Sequence, residues 1–210
     1  MNRLFIIFSF LFLSLSEVSS EIPKDLVSPN DRGMPYLKGI GVEIDYKEAM
    51  RLFKISAETG NQYAQANIGL MYSEGLGVKQ DFKMSAKWLK KSAIQGNASA
   101  QTSLGYLYDK GQGVKKDHAE AIRLYRLAAN QGYAIAQRNL GFSYKEGKGV
   151  EKDPTYSLMW FFLAGTDEYE KSQGISFKEQ ENIMKNLEQE EIKKAVEMTT
   201  ECFKKNFIDC

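Results

Sequence analysis

The apolar positions between Ala100 and Gly111, in AQTSLGYLYDKG, gather on one side of a helical wheel. Ala100, Leu104 and Tyr108 share that face with Gln101 and Gly105, which predicts an amphipathic helix. A second stripe follows in Ile122, Leu124, Tyr125, Ala128 and Ala129, and predicts a second helix opening at Asp117. Glu120 follows three residues later, as Glu48 follows Asp45, in the arrangement of a capping box. Gly132 suits a left-handed stop after that helix.

The pattern recurs without gaps every 36 residues. Gly39, Gly75, Gly111 and Gly147 share one column, and Gly41, Gly77, Gly113 and Gly149 another, each followed by valine. Asp45, Asp81, Asp117 and Asp153 repeat in step, as do Gln65, Gln101 and Gln137, and Gly69, Gly105 and Gly141. A mid-helix glycine costs about 1 kcal/mol against alanine. Three in one column therefore imply a partner helix too close for a methyl group. The fold class is all-α: a right-handed α/α superhelical solenoid of 36-residue helix-turn-helix repeats with a C-terminal helical cap.

The columns A-x-x-x-L-G-x-x-Y, G-x-G-V-x-x-D and A-x-x-x-x-x-x-A-A-x-x-G resemble the Sel1-like repeat, a relative of the tetratricopeptide repeat. The resemblance runs from about Gly39 to Ala164. It implies an adaptor that binds a protein or peptide, with first helices lining a concave side, and it implies no particular reaction.

Four segments are expected. Residues 1–20 read as a secretory signal peptide: Arg3, an apolar block from Leu4 to Leu15, and Val18-Ser19-Ser20 before cleavage at Glu21. Residues 21–38 read as an irregular lead-in, because Pro29 and Pro35 would break a helix there. Residues 39–166 hold the repeats, and residues 167–210 the capping helices, with a loop from Thr166 to Gly174. In the last helix Ile192, Ala195, Val196, Thr199 and Phe203 are spaced as one buried stripe. The apolar block is shorter than a membrane span needs, so no integral span is expected after cleavage. The chain is expected to be an exported monomer, periplasmic or secreted.

Charge narrows the partners. Lys and Arg number 28 against 27 Asp and Glu, with no basic stripe, which argues against nucleic acid. Cys202 and Cys210 are the only cysteines. An even pair in an exported chain invites a disulfide; free thiols or pairing to another chain are the alternatives.

Catalytic patterns are missing. The Gly-x-Gly pairs lack the preceding strand and third glycine of a dinucleotide loop, and read as tight turns. His118 is the only histidine, so a site of several histidine ligands is excluded. No Ser-x-x-Lys, Gly-x-Ser-x-Gly, His-Glu-x-x-His or P-loop occurs. No cofactor, metal or catalytic residue is expected. A hydrolase acting on cell wall or β-lactam, and a secreted factor engaging a host protein, are the alternative functions.

The informative positions vary between repeats. Leu70, Tyr106 and Phe142 form an apolar column on the first helices, flanked by Thr102 and Asp109 and by Arg138 and Lys145. The spacing i, i+4, i+7 makes one ridge per helix. One reading is a docking ladder whose partner presents apolar side chains and an acidic flank to Arg138 and Lys145. The other is packing between neighbouring repeats.

Overall fold

The computed structural model describes residues 28–207 and 210, so the expected signal peptide lies outside the described residues. The two predicted stripes form helices wherever they recur. The first helices of the units are α1 (Pro29–Lys38), α3 (Gln62–Glu74), α5 (Ala98–Lys110) and α7 (Ala134–Glu146). The second helices are α2 (Tyr46–Glu58), α4 (Phe82–Ile94), α6 (His118–Ala129) and α8 (Pro154–Ala164). Each first helix packs on the second helix of its unit, and each of α2, α4 and α6 packs on the next first helix. That chain of neighbours is an α solenoid, and no strand occurs among the described residues. The tail adds α9 (Glu168–Gln173), α10 (Ile175–Met184) and α11 (Gln189–Lys204).

Local chemistry sets the ends of these helices. Asp45, Asp81, Asp117 and Asp153 each accept from first-turn amides of a second helix. Asn61 and Asn97 do the same for α3 and α5. The expected capping boxes at Asp45 and Asp117 do not form. Glu48 and Glu120 instead accept from Arg51 and Arg123, whose guanidinium groups offer two donors each.

The lead-in is likewise corrected, because residues 29–38 form α1. Pro29 occupies the first turn, where its missing N–H has no partner to lose. Pro35 does sacrifice an interior bond, yet α1 is held by its packing on α2, and packing outweighs propensity in such short helices.

Glycine carries the close contact inside each unit. A Cβ on Gly33, Gly69, Gly105 or Gly141 would lie 2.6, 2.6, 2.7 or 3.0 Å from the side chain of Phe53, Leu89, Tyr125 or Phe161. The partner is therefore the large side chain of the second helix in the same unit. Between units the second glycine of each Gly-x-Gly turn does the work. A Cβ on Gly77, Gly113 or Gly149 would strike the backbone of Tyr46, Phe82 or His118 at the start of the preceding second helix. The repeated glutamines complete the joint: Gln65, Gln101 and Gln137 donate to the carbonyls of Ala57, Ala93 and Ala129.

The tail closes the array on α8 through α10 and α11. Leu158 and Phe161 bury against Ile183 and Ala195 there. The expected loop after Gly165 contains a helical turn and a half, α9, capped by Asp167. The buried stripe of α11 is also rotated from expectation: Val196 and Phe203 are exposed, while Cys202 is buried. Cys202 is bonded to Cys210. Phe203 instead meets Phe207 edge-on at 5.4 Å, and Phe207 lies against Gly132 in the α6–α7 turn.

Candidate functional site

The first helices α3, α5 and α7 lie in sequence across one face, and their variable ridges frame a cavity of about 490 Å³. Leu70, Thr102, Tyr106 and Arg138 all line it. The fold thus brings together four of the residues singled out in the sequence. A second cavity of about 240 Å³ shares Tyr106 and Asn139 with the first and adds Asp109 and Phe142. Lys145 lines neither.

The three rungs of the apolar column differ in exposure. Tyr106 is 47% exposed, with Lys110 Nζ 5.4 Å from its ring centroid. Leu70 is half-buried. Phe142 is half-buried because its ring meets Phe161 edge-on at 5.1 Å and joins the cluster formed with the cap. Thr102 is buried and its hydroxyl donates to the Ala98 carbonyl, so it shapes the wall and offers no free donor.

The two cations expected to meet an acidic partner are already paired. Arg138 Nη1 donates to Glu170 Oε1 at 2.7 Å, and the Glu170 side chain is fully buried. Ser176 Oγ donates to the other oxygen of that carboxylate. Lys145 pairs with Glu179 of α10. The ridge pattern gave the direction of both cations but held no trace of the acids that fold back from the tail. An acidic partner at Arg138 and Lys145 would therefore have to compete with Glu170 and Glu179.

Asp109 sits in a small network, with Lys110 Nζ at 2.9 Å and His118 Nδ1 at 2.9 Å. Burial works to raise its pKa, but the hydrogen bond from Lys110, aided by His118, holds its carboxyl below the ordinary value. Nearby, burial pushes the Tyr125 phenol well above its usual range. His118, expected as a ring at a helix start, is thus tied to the preceding helix. Among the described residues no group of three His, Cys, Asp or Glu side chains could hold a metal ion. No helix among them is long and apolar enough to cross a membrane.

Sequence reasoning missed the floor of the larger cavity. Phe82 and Leu89 reach it from α4, behind the first helices. Leu89 is the side chain that covers Gly69, so the glycine column was the available signal. Ser103 and Asn139 also line it and share a repeat position with Asn67, a polar column on the first helices. Asn67 donates to Asn30 at 3.2 Å across α1 and α3.

A model of the Sel1 repeat matches residues 32–61, 62–97, 98–133 and 134–167. No curated protein matches the chain in sequence. Among solved structures it is similar to c5321, a protective antigen present in uropathogenic Escherichia coli strains displaying an SLR fold. The identity is 32% and the TM-score 0.79, over 85% of this chain and 38% of that one. It is also similar to a Sel1 repeat protein from Oxalobacter formigenes, at 35% identity and a TM-score of 0.62, over 70% of this chain and 57% of that one. The chain spans less than two thirds of the length of either structure.

Proposed function

The chain belongs to the Sel1 repeat family, and on that footing we propose that it is an exported, non-catalytic scaffold taking a protein or peptide segment in the groove across α3, α5 and α7. Sel1 repeats typically mediate protein contacts, and a solenoid offers an extended face for them. One observation carries the assignment to this face. Tyr106 leaves nearly half its surface exposed above a 490 Å³ cavity floored by Phe82 and Leu89. An aromatic rim over an apolar floor, with Ser103 and Asn139 as polar neighbours, is the composition of a peptide-binding pocket. Leu70, Thr102 and Tyr106 form the docking surface; Asp109, Phe142, Arg138 and Lys145 support its far end.

Export rests on the signal-like residues 1–20 and on the bonded cysteines, which persist in oxidising compartments. The protective antigen among the similar structures fits a chain that meets the outside of a cell.

Selection of a displayed random-peptide library on the purified chain tests the groove. Binders should compete for one site and lose at least ~2 kcal/mol with Tyr106→Ala. Binders indifferent to Tyr106 would remove this face as the docking site. Export is tested separately by sequencing the N-terminus of the chain made in its native host, which should begin at Glu21.

A further inference from the structure

The charges lining the groove specify its occupant further than apolar shape does. Two charged side chains line the larger cavity, Glu74 and Arg138. Arg138 is neutralised by the buried Glu170. In the adjoining cavity Asp109 is paired with Lys110 and His118, and Glu146 with Lys148. Lys145, beside them, is paired with Glu179. Glu74 ends α3, is exposed, and forms no ion pair among the described residues. Its counterparts in the next two units, Lys110 and Glu146, are both engaged. One carboxylate at the mouth of an apolar cavity thus stands without a counter-charge.

We infer that the groove takes a basic–apolar peptide segment. A bulky aliphatic or aromatic side chain seats between Leu70 and Tyr106 over Phe82 and Leu89, and a neighbouring Lys or Arg meets Glu74. An acidic segment finds no free cation here, since the C-terminal cap has consumed the two that faced this side. Lys110 lies over the Tyr106 ring, but Asp109 holds its charge at 2.9 Å. Glu74 is at the rim and solvated, so its contribution is to selectivity and encounter more than to affinity.

This inference rests on the groove reading above, and its test separates the two. Random-peptide libraries are selected in parallel on the wild-type chain and on Glu74→Lys. Wild-type binders should combine an apolar side chain with Lys or Arg. A synthetic version of one should bind about two- to fivefold more weakly to Glu74→Gln, and more weakly to wild type as salt rises. Glu74→Lys should lose the basic enrichment. The exposed position leaves the fold intact, which unchanged thermal melts of both variants verify. Binders that need Tyr106 but carry no basic residue, or carry acidic ones, overturn the charge assignment and leave the groove standing. Failure to obtain any binder that depends on Tyr106 overturns both.

Discussion

Arg138 on α7 donates to Glu170 on α9 at 2.7 Å, which ties the last repeat to the first turn of the tail. The carboxylate is fully buried, and the Arg138 side chain is 19% exposed. Removing one member of such a pair leaves the other uncompensated, at a cost of about 3–5 kcal/mol. Arg138→Ala should therefore destabilise far more than Lys145→Ala, whose pair with Glu179 is more exposed and contributes about 0–1 kcal/mol. Denaturant titrations of the two variants check the ordering. Equal losses would mean that the buried pair has no special weight.

The glycine column makes a second prediction. A Cβ at Gly105 would lie 2.7 Å from the Tyr125 ring and 3.3 Å from the Ala121 carbonyl oxygen, so a side chain there must displace the ring and press on the backbone of α6. Gly105→Leu should cost about 1–3 kcal/mol by overpacking, read as a fall in melting temperature. An unchanged melt would mean that the contact yields freely.

Two rungs of one column should respond in opposite ways. Phe142→Ala removes an edge-on contact with Phe161 and opens the cluster under the cap, for a loss of about 2–4 kcal/mol of stability. Tyr106→Ala removes an exposed ring and should change stability by less than about 1 kcal/mol. The unfolding free energies of both variants decide it, and the reverse order would place Tyr106 in the core instead of at a docking surface.

Acid should expose the Asp109 network. Its folded pKa is depressed by Lys110 and His118 against the opposing effect of burial. A carboxyl of this kind adds stability that is present above its unfolded pKa, about 3.9. That stability is lost as pH falls through the lower, folded value. Wild type should accordingly be more stable than Asp109→Asn at neutral pH, and the two unfolding midpoints should converge as pH falls below the unfolded value and through the lower, folded one. A gap that stays constant throughout that acid range would show that the charge contributes nothing.

Much of the architecture was legible because each unit states the same local rules. Asp117 starts a helix, Gly111 stops one, and Gly105 announces a close neighbour, so the columns reveal both the helices and their pairing. Residues without a column were harder. Pro29 and Pro35 signal a broken helix by propensity alone, and only the packing of α1 on α2 reverses that reading. Phe142 and Tyr106 occupy one column, but α8 and the cap cover the former while the latter has open space above it. Glu170 and Glu179 lie outside the period, so no repeat position foretold that they would claim Arg138 and Lys145.

The joints between units have a consequence for how such a chain can change length. Gly77, Gly113 and Gly149 rest on the backbone of Tyr46, Phe82 and His118, three rings that differ in size and polarity. Main-chain atoms are common to every residue, so the joint is indifferent to what the neighbouring unit has become. An in-frame duplication of residues 62–97 would present both halves of that joint again and splice in without a new interface. Array length is thereby free to drift in evolution, while the variable ridge on each added first helix enlarges the surface available to a partner.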